Sequence, residues 1–512
     1  MKRYLLLYHF LFFSYFIQAQ IPEDALRLFY VRPSGTAREQ AIGGAMGSLG
    51  GDLSAAFVNP AGLAFYKTKE IVVSPGWSFN AVNTSYLSNN TKNTAANNFL
   101  PAASGIVYGW QDNNSLSTMA VSFSVNRRAD FNGHYSYQGN NNYSSASQAY
   151  VDEFSRYGGS INQALSDPVL SYGTRMALYT YLVDTSRGAV YSQPNNVLAS
   201  GAGLGQQTGI VKTGGVTELN FGFAGTGKDK WYIGAGIGVP IMNYQQRKTY
   251  TETDLSGKTN NNFSSYTYTE TYSAKGAGVN FRLGAIYRPN LNWRLGLTIY
   301  SPSFYSITDH LSASMVTNTE GYAGTVSINT DTLDKISGSS NRLDYNLQTN
   351  WGFIASGSYI FPGSITEGKM GFITADIEYA LNKNSKFSFP LDANGNQPDN
   401  SYFNAVNSTI KDYYRNTLNF RLGGEYKLDN LALRMGGSFS TNPYSSPDLK
   451  ANRYTVGGGA GYRKKGIFVD LTYVEVIENN VDFPYRLSNK DNFYSTVKTY
   501  TGNIILTFGY KF

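Results

Sequence analysis

The feature that most limits what this chain can become is a two-residue rhythm of apolar and polar side chains. The stretch GNIILTFGYKF puts Ile504, Leu506, Phe508, Tyr510 and Phe512 on one face and Asn503, Ile505, Thr507, Gly509 and Lys511 on the other. That is the period of a β-strand with one apolar side. Ile467, Val469, Leu471 and Tyr473 likewise oppose Phe468, Asp470 and Thr472, and Leu431, Leu433, Met435 and Phe439 oppose Ala432, Arg434, Gly436 and Ser438. Leu418, Phe420, Leu422 and Tyr426 stand against Asn419, Arg421, Gly423 and Glu425, and Ile373, Ala375, Ile377 and Tyr379 against Thr374, Asp376 and Glu378. Trp293, Leu295, Leu297 and Ile299 alternate with Arg294, Gly296 and Thr298, and Val279, Phe281, Leu283 and Tyr287 with Asn280, Arg282 and Gly284.

A soluble sandwich alternates too, so connection length has to decide. Six short turns, near 111–115, 226–230, 288–292, 362–368, 427–430 and 463–466, interleave with seven long polar connections. The long ones lie near 81–99, 130–215, 247–265, 308–343, 382–411, 441–451 and 477–490, the largest being 130–215. Thirteen connections join fourteen strands. Short turns at one end and long loops at the other, with aromatic residues closing the apolar bands, are the pattern of a membrane barrel. Closure leaves no unpaired strand edge in lipid. The expected fold is an all-β, 14-stranded antiparallel transmembrane β-barrel over 68–512, with outer-membrane lipid around it, working as a monomer. The final Phe512 completes a pattern similar to the C-terminal assembly signal of bacterial outer-membrane barrels.

The start of the chain, MKRYLLLYHFLFFSYFIQAQ, has Lys2 and Arg3, an apolar run and then Ala19, which reads as a secretory signal peptide over 1–19. Elsewhere no run is apolar enough for a membrane helix. Net charge is +7, charged residues are 15% and no Lys/Arg run exists, so no nucleic-acid partner is expected. Cysteine is absent and the stretch after residue 19 has two histidines, His134 and His310, which argues against disulfides and transition-metal sites.

A barrel of fourteen strands encloses a lumen its own side chains do not fill. Residues 20–67 precede the first strand, expected to begin near Lys69, and read as its N-terminal hatch. Thr36 and Glu39 have capping-box spacing before Ala41, Ile42, Ala45, Met46 and Leu49, while Gly43, Gly44, Gly47, Gly50 and Gly51 argue against one long helix. Asp52 is placed to cap a short turn over 53–58, Pro60 to stop it, and the Asn59 side chain to bond nearby backbone. GTAREQAIGGAMGSLGGDLSAAFVNPAGLA resembles the N-terminal hatch of the FadL/TodX family of outer-membrane transporters for hydrophobic compounds. Asn59, Pro60, Ala61, Gly62 and Leu63 carry the resemblance most directly, and Thr36-Ala37-Arg38 and residues 41–46 more loosely.

The resemblance implies a hatch-plugged, fourteen-strand barrel that passes long-chain fatty acids, aromatic hydrocarbons or similar solutes by passive diffusion, with no cofactor. It also implies helical outer loops holding a first capture groove. Here Ser147–Tyr157 reads as a helix closed by Gly158, and Val151, Phe154, Val169, Leu170, Met176, Leu178 and Leu182 are either that capture surface or the packing of the loop on the barrel rim. The family's kinked third strand lets ligand leave sideways. The matching stretch here, LSTMAVSFSVNRR, has neither Gly nor Pro and gives no sign of such an exit.

Eight charges fall on the lumen face: Arg282, Arg294, Asp376, Glu378, Arg421, Glu425, Arg434 and Asp470. They read as an ion-pair network holding the hatch, or as a seat for a fatty-acid carboxylate. Asp309-His310, beside Ser306 and Ser312, is the one hydrolase-like cluster, and it is expected on an outer loop, as is His134. DANGNQPDN has Asp392, Asn394 and Asn396 at calcium-loop spacing but no closing Glu, so it reads as an Asx-rich turn. The expected function is passive transport of a hydrophobic small molecule. The alternative is a non-transporting barrel serving protein secretion or assembly.

Overall fold

The computed structural model describes residues 22–30, 35–93, 96–112, 117–227, 230–361 and 369–512. The signal-peptide reading of 1–19 lies outside them.

Fourteen antiparallel strands close into a barrel. The first are β1 (Lys69–Val73 with Pro75–Tyr86), β2 (Ala96–Pro101 with Ser104–Gln111) and β3 (Thr118–Asp130 with Gly133–Asn141). Next come β4 (Leu204–Gly227), β5 (Trp231–Asp254), β6 (Ser265–Tyr287) and β7 (Trp293–Tyr300 with Phe304–Asn318). The wall continues with β8 (Arg342–Gln348 with Gly352–Phe361), β9 (Lys369–Ala380 with Lys386–Ser388), β10 (Thr417–Leu428) and β11 (Leu431–Ser440). It ends with β12 (Arg453–Lys464), β13 (Ile467–Asp482) and β14 (Ser495–Lys511). β14 pairs back onto β1, from Glu70↔Lys511 to Ser85↔Thr496, which removes the open edge.

The alternation decides which way each strand faces. Ile233, Leu297 and Met435 are 64%, 64% and 72% exposed on the outside, while Asp376 and Asp470 on the inside are each 1% exposed. An outer face this apolar suits lipid and not water. Aromatic pairs gather at the short-turn end: Trp231 with Tyr287, Trp293 with Tyr359, Tyr108 with Trp110, and Tyr510 with Phe512.

The outer connections are shorter than their polarity implies. β3 runs on to Asn141 and β4 starts at Leu204, so the 130–215 connection contracts to 142–203. β5 likewise continues to Asp254, and β7 to Asn318. The physical reason is that strand ends beyond the lipid need no apolar outer face, yet their backbone still pairs. Thr249 and Thr251 sit opposite Thr269 and Thr267 there, with the hydroxyls of Thr251 and Thr267 3.1 Å apart. His134 and Asp309-His310 accordingly lie on strands, not loops.

Residues 36–65 lie inside this wall and are fully or largely buried. Helix α1 (Pro22–Phe29) precedes them, and α2 (Ala37–Ala41) opens them.

Candidate functional site

The lumenal segment is built from caps. The Thr36 hydroxyl accepts from the Glu39 amide and starts α2. The Glu39 carboxylate does not complete the box; it accepts from the Gln40 side chain at 3.1 Å. Gly43 and Gly44, at φ 68° and 80°, turn the chain where a side chain would be strained. Asp52 then caps a 3₁₀ turn, Leu53–Ala56, by accepting from the Ser54 amide. Pro60 does not merely stop this turn. It begins a second one, Pro60–Phe65, because the missing N–H of proline is harmless at a helix start.

Asn59 organises the junction and is 0% exposed. Its Oδ1 accepts from the Ala61 amide at 3.1 Å, and its Nδ2 donates to the Gly47 carbonyl at 2.5 Å. The barrel wall makes room for this motif with glycines on three neighbouring strands. A methyl group on Gly284 of β6 would fall 1.9 Å from Asn59 Oδ1, one on Gly234 of β5 2.4 Å from the Pro60 carbonyl carbon, and one on Gly222 of β4 2.5 Å from Leu63 Cδ1. Across the lumen, Gly436 of β11 and Gly423 of β10 receive Ile42 in the same way, at 2.2 and 2.3 Å. Ala61 and Leu63 pack with Leu53, Ala224 and Ile286 in one apolar cluster.

All eight lumen charges point inward, and three of them touch the inner segment. The Asp376 carboxylate accepts from the Gly47 amide at 3.0 Å. Arg294 donates to the Leu49 carbonyl. Glu425 joins Arg38 of α2, at 3.4 Å, to Arg434 of the wall, at 2.6 Å. Arg434 reaches Asp470 at 2.5 Å, and Arg421 pairs with Glu378. Arg282 meets Glu218 at 2.9 Å, and Arg128 joins the same carboxylate at 3.2 Å. Glu218 and Arg128 were not foreseen as part of this network. The signal was present: in VTELNFGFAG, Phe221 and Phe223 face out, so Glu218 and Asn220 must face in.

Above the inner segment lies a cavity of about 470 Å³, bordered by Leu26 and Tyr30 of the N-terminal stretch and by Phe131, Tyr135, Tyr244 and Val497 of the wall. A second cavity, about 160 Å³, reaches down to Glu39, Phe57 and Val58, and Tyr30 and Arg453 border both. The Arg453 guanidinium stacks on the Tyr30 ring at 4.1 Å and pairs with Glu478 at 2.8 Å.

The wall beside the larger cavity is interrupted. β3 breaks at Phe131–Asn132, just before Gly133 and beyond the Gly- and Pro-free stretch 116–128. A second glycine, on the neighbouring strand, meets the break. Gly214 of β4 has φ 102°, its amide donates to Asn132 Oδ1 at 3.0 Å, and the β3–β4 ladder slips between Val216 and Thr217. On the other side the β2–β3 ladder ends at Ser104↔Val125. Beyond it, among the described strands, Ala96–Pro101 pairs with β1 and Gly133–Asn141 with β4, not with each other. Side chains of β1 and its loop take over: Asn80 donates to the Asn132 carbonyl at 2.9 Å, Thr84 to the Ser136 carbonyl at 2.8 Å, and Asn93 Oδ1 accepts from the Ser136 amide at 2.7 Å. A small cavity of about 30 Å³, bordered by Gln40, Leu100 and Ala129, sits at this gap and shares Ala129 and Asp130 with the large one.

The outer loop folds into a cap. Helix α3 (Ser147–Tyr157) ends at Gly158, which adopts φ 69°. Phe154, Leu170, Met176, Leu178 and Leu182 are each at most 5% exposed in one apolar cluster, with Val151 and Ile161 partly buried against it and Val169 half-buried nearby. Of the two readings of these residues, their placement is that of packing rather than of an open groove. Asp309 faces inward and accepts from Tyr272 at 3.2 Å, while His310 faces out, so the two do not form a dyad. In the 392–400 loop, Asp392 Oδ1 accepts from the amides of Asn394 and Asn396, each at 2.8 Å, as an Asx turn does.

No family model and no curated protein matches the sequence. Among solved structures, the chain is similar to a Pseudomonas aeruginosa FadL homologue, with a TM-score of 0.55 at 14% identity over 94% of this chain and 99% of that one. It is also similar to the Pseudomonas putida toluene transporter TodX, with a TM-score of 0.50 at 13% identity over 94% of this chain and 99% of that one. At such identity the likeness speaks for the fold, and it covers nearly the whole of each chain. With its fourteen strands closed around an inner segment that ends in Asn-Pro-Ala-Gly-Leu, the chain has the fold of the FadL/TodX barrels.

Proposed function

We propose that the protein is an outer-membrane channel for hydrophobic small molecules, with residues 36–65 acting as the hatch. The observation that carries this reading is the cavity of about 470 Å³ that borders the break in β3. A greasy solute is poorly served by a water-filled pore, but a cavity lined by aromatic rings gives it a resting place. The gap between the upper halves of β2 and β3 is the sideways route from that cavity to the lipid. It opens above the hatch, so the solute leaves without the Asn59 junction being dismantled. The eight lumen charges hold the hatch in place through Asp376, Arg294 and Glu425. The likeness to TodX, named as a toluene transporter, is in keeping with this role.

The test is native mass spectrometry of the barrel purified in a detergent that is not a fatty acid, followed by extraction and identification of whatever travels with it. A discrete apolar small molecule, lost when Phe131→Asp replaces an aromatic ring of the cavity with a carboxylate, is the expected result. An empty barrel carrying a stoichiometric protein instead would overturn the channel reading and favour a secretion or assembly subunit.

A further inference from the structure

Basic side chains crowd one stretch of the short-turn rim, where β14 closes on β1. The main chains of Lys69 and Phe512 exchange hydrogen bonds of 3.1 and 3.0 Å there, and the Lys511 amide donates to the Gly466 carbonyl of the next turn at 2.9 Å. The basic groups of this stretch that face the lumen are matched. Lys511 pairs with Glu70 at 3.0 Å, Lys427 with Glu425 at 3.5 Å and Arg463 with Asp470 at 3.8 Å. Those on the lipid side are not. Lys69 stands two residues before Ile71, and Lys464 two after Tyr462, each on the outer face of its strand. Lys465 lies on the turn between β12 and β13, and Lys67 just before β1; both are exposed. Among the described residues, none of these four ammonium groups has a carboxylate within 4.0 Å. Lys69 is held between rings instead, 4.6 Å from Tyr108 and 5.9 Å from Phe512. Elsewhere on the rim the outward side chains near the strand ends are uncharged: Trp231, Trp293, Phe361, Met370 and Leu431.

We infer that this stretch of β12, β14 and β1 binds an anionic phospholipid of the leaflet at the short-turn end. Its phosphate sits among Lys69, Lys464 and Lys465, and its acyl chains lie along Ile71, Val73, Phe508 and Tyr510. The inference concerns the barrel in its bilayer and holds whatever solute the barrel carries. An ammonium at the edge of hydrocarbon lays its stem on apolar surface and sends its charge toward the headgroups. Phosphate oxygens then accept charge-assisted hydrogen bonds from it. Depth agrees, because Tyr and Trp rings mark the headgroup level, and Lys69 and Lys464 lie one two-residue step, about 7 Å, beyond Ile71 and Tyr462. Position agrees as well, since β1 and β12 are three strand spacings apart, about 14 Å, so the charges gather at one place on the rim. A zwitterionic lipid brings its own ammonium, which competes with the lysines for the phosphate. A free anion lacks the chains that would cover the exposed apolar face beside them.

The experiment is native mass spectrometry of the full barrel from detergent micelles doped with equal amounts of phosphatidylglycerol and phosphatidylethanolamine of identical acyl chains. Retained phosphatidylglycerol should exceed phosphatidylethanolamine at least about fivefold, the effect of roughly one lysine beside an anionic surface. The triple variant Lys69→Gln, Lys464→Gln, Lys465→Gln should lose that preference, and the same three positions changed to Arg should keep it. A control that removes equal charge at the long-loop end, Lys258→Gln, Lys335→Gln, Lys411→Gln, should keep it too. Excess inorganic phosphate should leave the retained lipid in place. Equal retention of the two lipids, or a preference that survives the triple Gln variant, overturns the site. Loss of preference in the control assigns the effect to net charge and overturns it likewise. Displacement by inorganic phosphate overturns the lipid assignment in favour of a free anion. An acidic protein that travels with the barrel in place of lipid, and is lost in the triple Gln variant, gives the surface to a protein partner instead.

Discussion

A single methyl group is enough to test whether the lumen wall and the segment inside it are fitted to each other. Gly284→Ala would press on Asn59, and Gly436→Ala on the backbone of Ile42, in both cases against atoms that cannot swing aside. Overpacking of this kind costs about 1–3 kcal/mol. Both variants should therefore lower the thermal midpoint of the barrel and expose residues 36–65 to protease. Gly357→Ala is the control, since its methyl would meet nothing closer than Leu295 Cδ2 at 3.9 Å; an equal loss of stability there would mean that glycine content alone, and not fit, sets the effect. At this scale the sequence is half legible. Asn59 before Pro60 signals a cap from its own chemistry. Gly284 and Gly436 look like ordinary strand glycines, because their reason lies on a segment more than 200 residues away.

Elements were legible where lipid imposes a rule on them. Within the lipid-facing band each strand must alternate, so the lumen charges follow from counting by twos, and all eight face inward. Outside the lipid that rule lapses, and the upper halves of β3, β4, β5 and β7 look like polar loop. The break in β3 was only half legible: Gly133 follows it in the strand itself, but Gly214, whose backbone meets it, belongs to β4. The gap this break leaves makes a direct prediction about passage. Leu100 and Ala129 border the same small cavity across the gap. Since the chain has no cysteine, Leu100→Cys with Ala129→Cys can be bridged by a short bis-maleimide without side reactions. Bridging should abolish uptake of an apolar fluorescent probe into proteoliposomes, while either single variant keeps it. Undiminished uptake in the bridged barrel would place the route elsewhere, past the inner segment itself.

Taken whole, the molecule is a wall and an inner segment joined by buried polar contacts, and one carboxyl group buried at their junction titrates near neutrality. The Glu39 carboxyl, 2% exposed, is pushed up to about 8, chiefly by burial. Asp52 and Asp376 add to the rise, while Arg421 and the Gln40 amide oppose it. In the unfolded or undocked chain the same group titrates near 4.5. The docked form thus holds a proton that the released form gives up. Docking is unaffected by this group below about 4.5, weakens by ~1.4 kcal/mol per pH unit between about 4.5 and about 8, and changes no further above that. Hydrogen exchange across residues 36–65, corrected for intrinsic rates, should show stronger protection at pH 5.5 than at pH 8.5. Glu39→Gln, which keeps the neutral shape and cannot ionise, should hold the stronger protection at both. The ion pairs of Arg38 with Glu425 and of Arg434 with Asp470 remain in that variant, so it isolates the one proton. An unchanged pH profile in Glu39→Gln would assign the titration to another group and would leave the inner segment held by the same forces at every pH a cell surface meets.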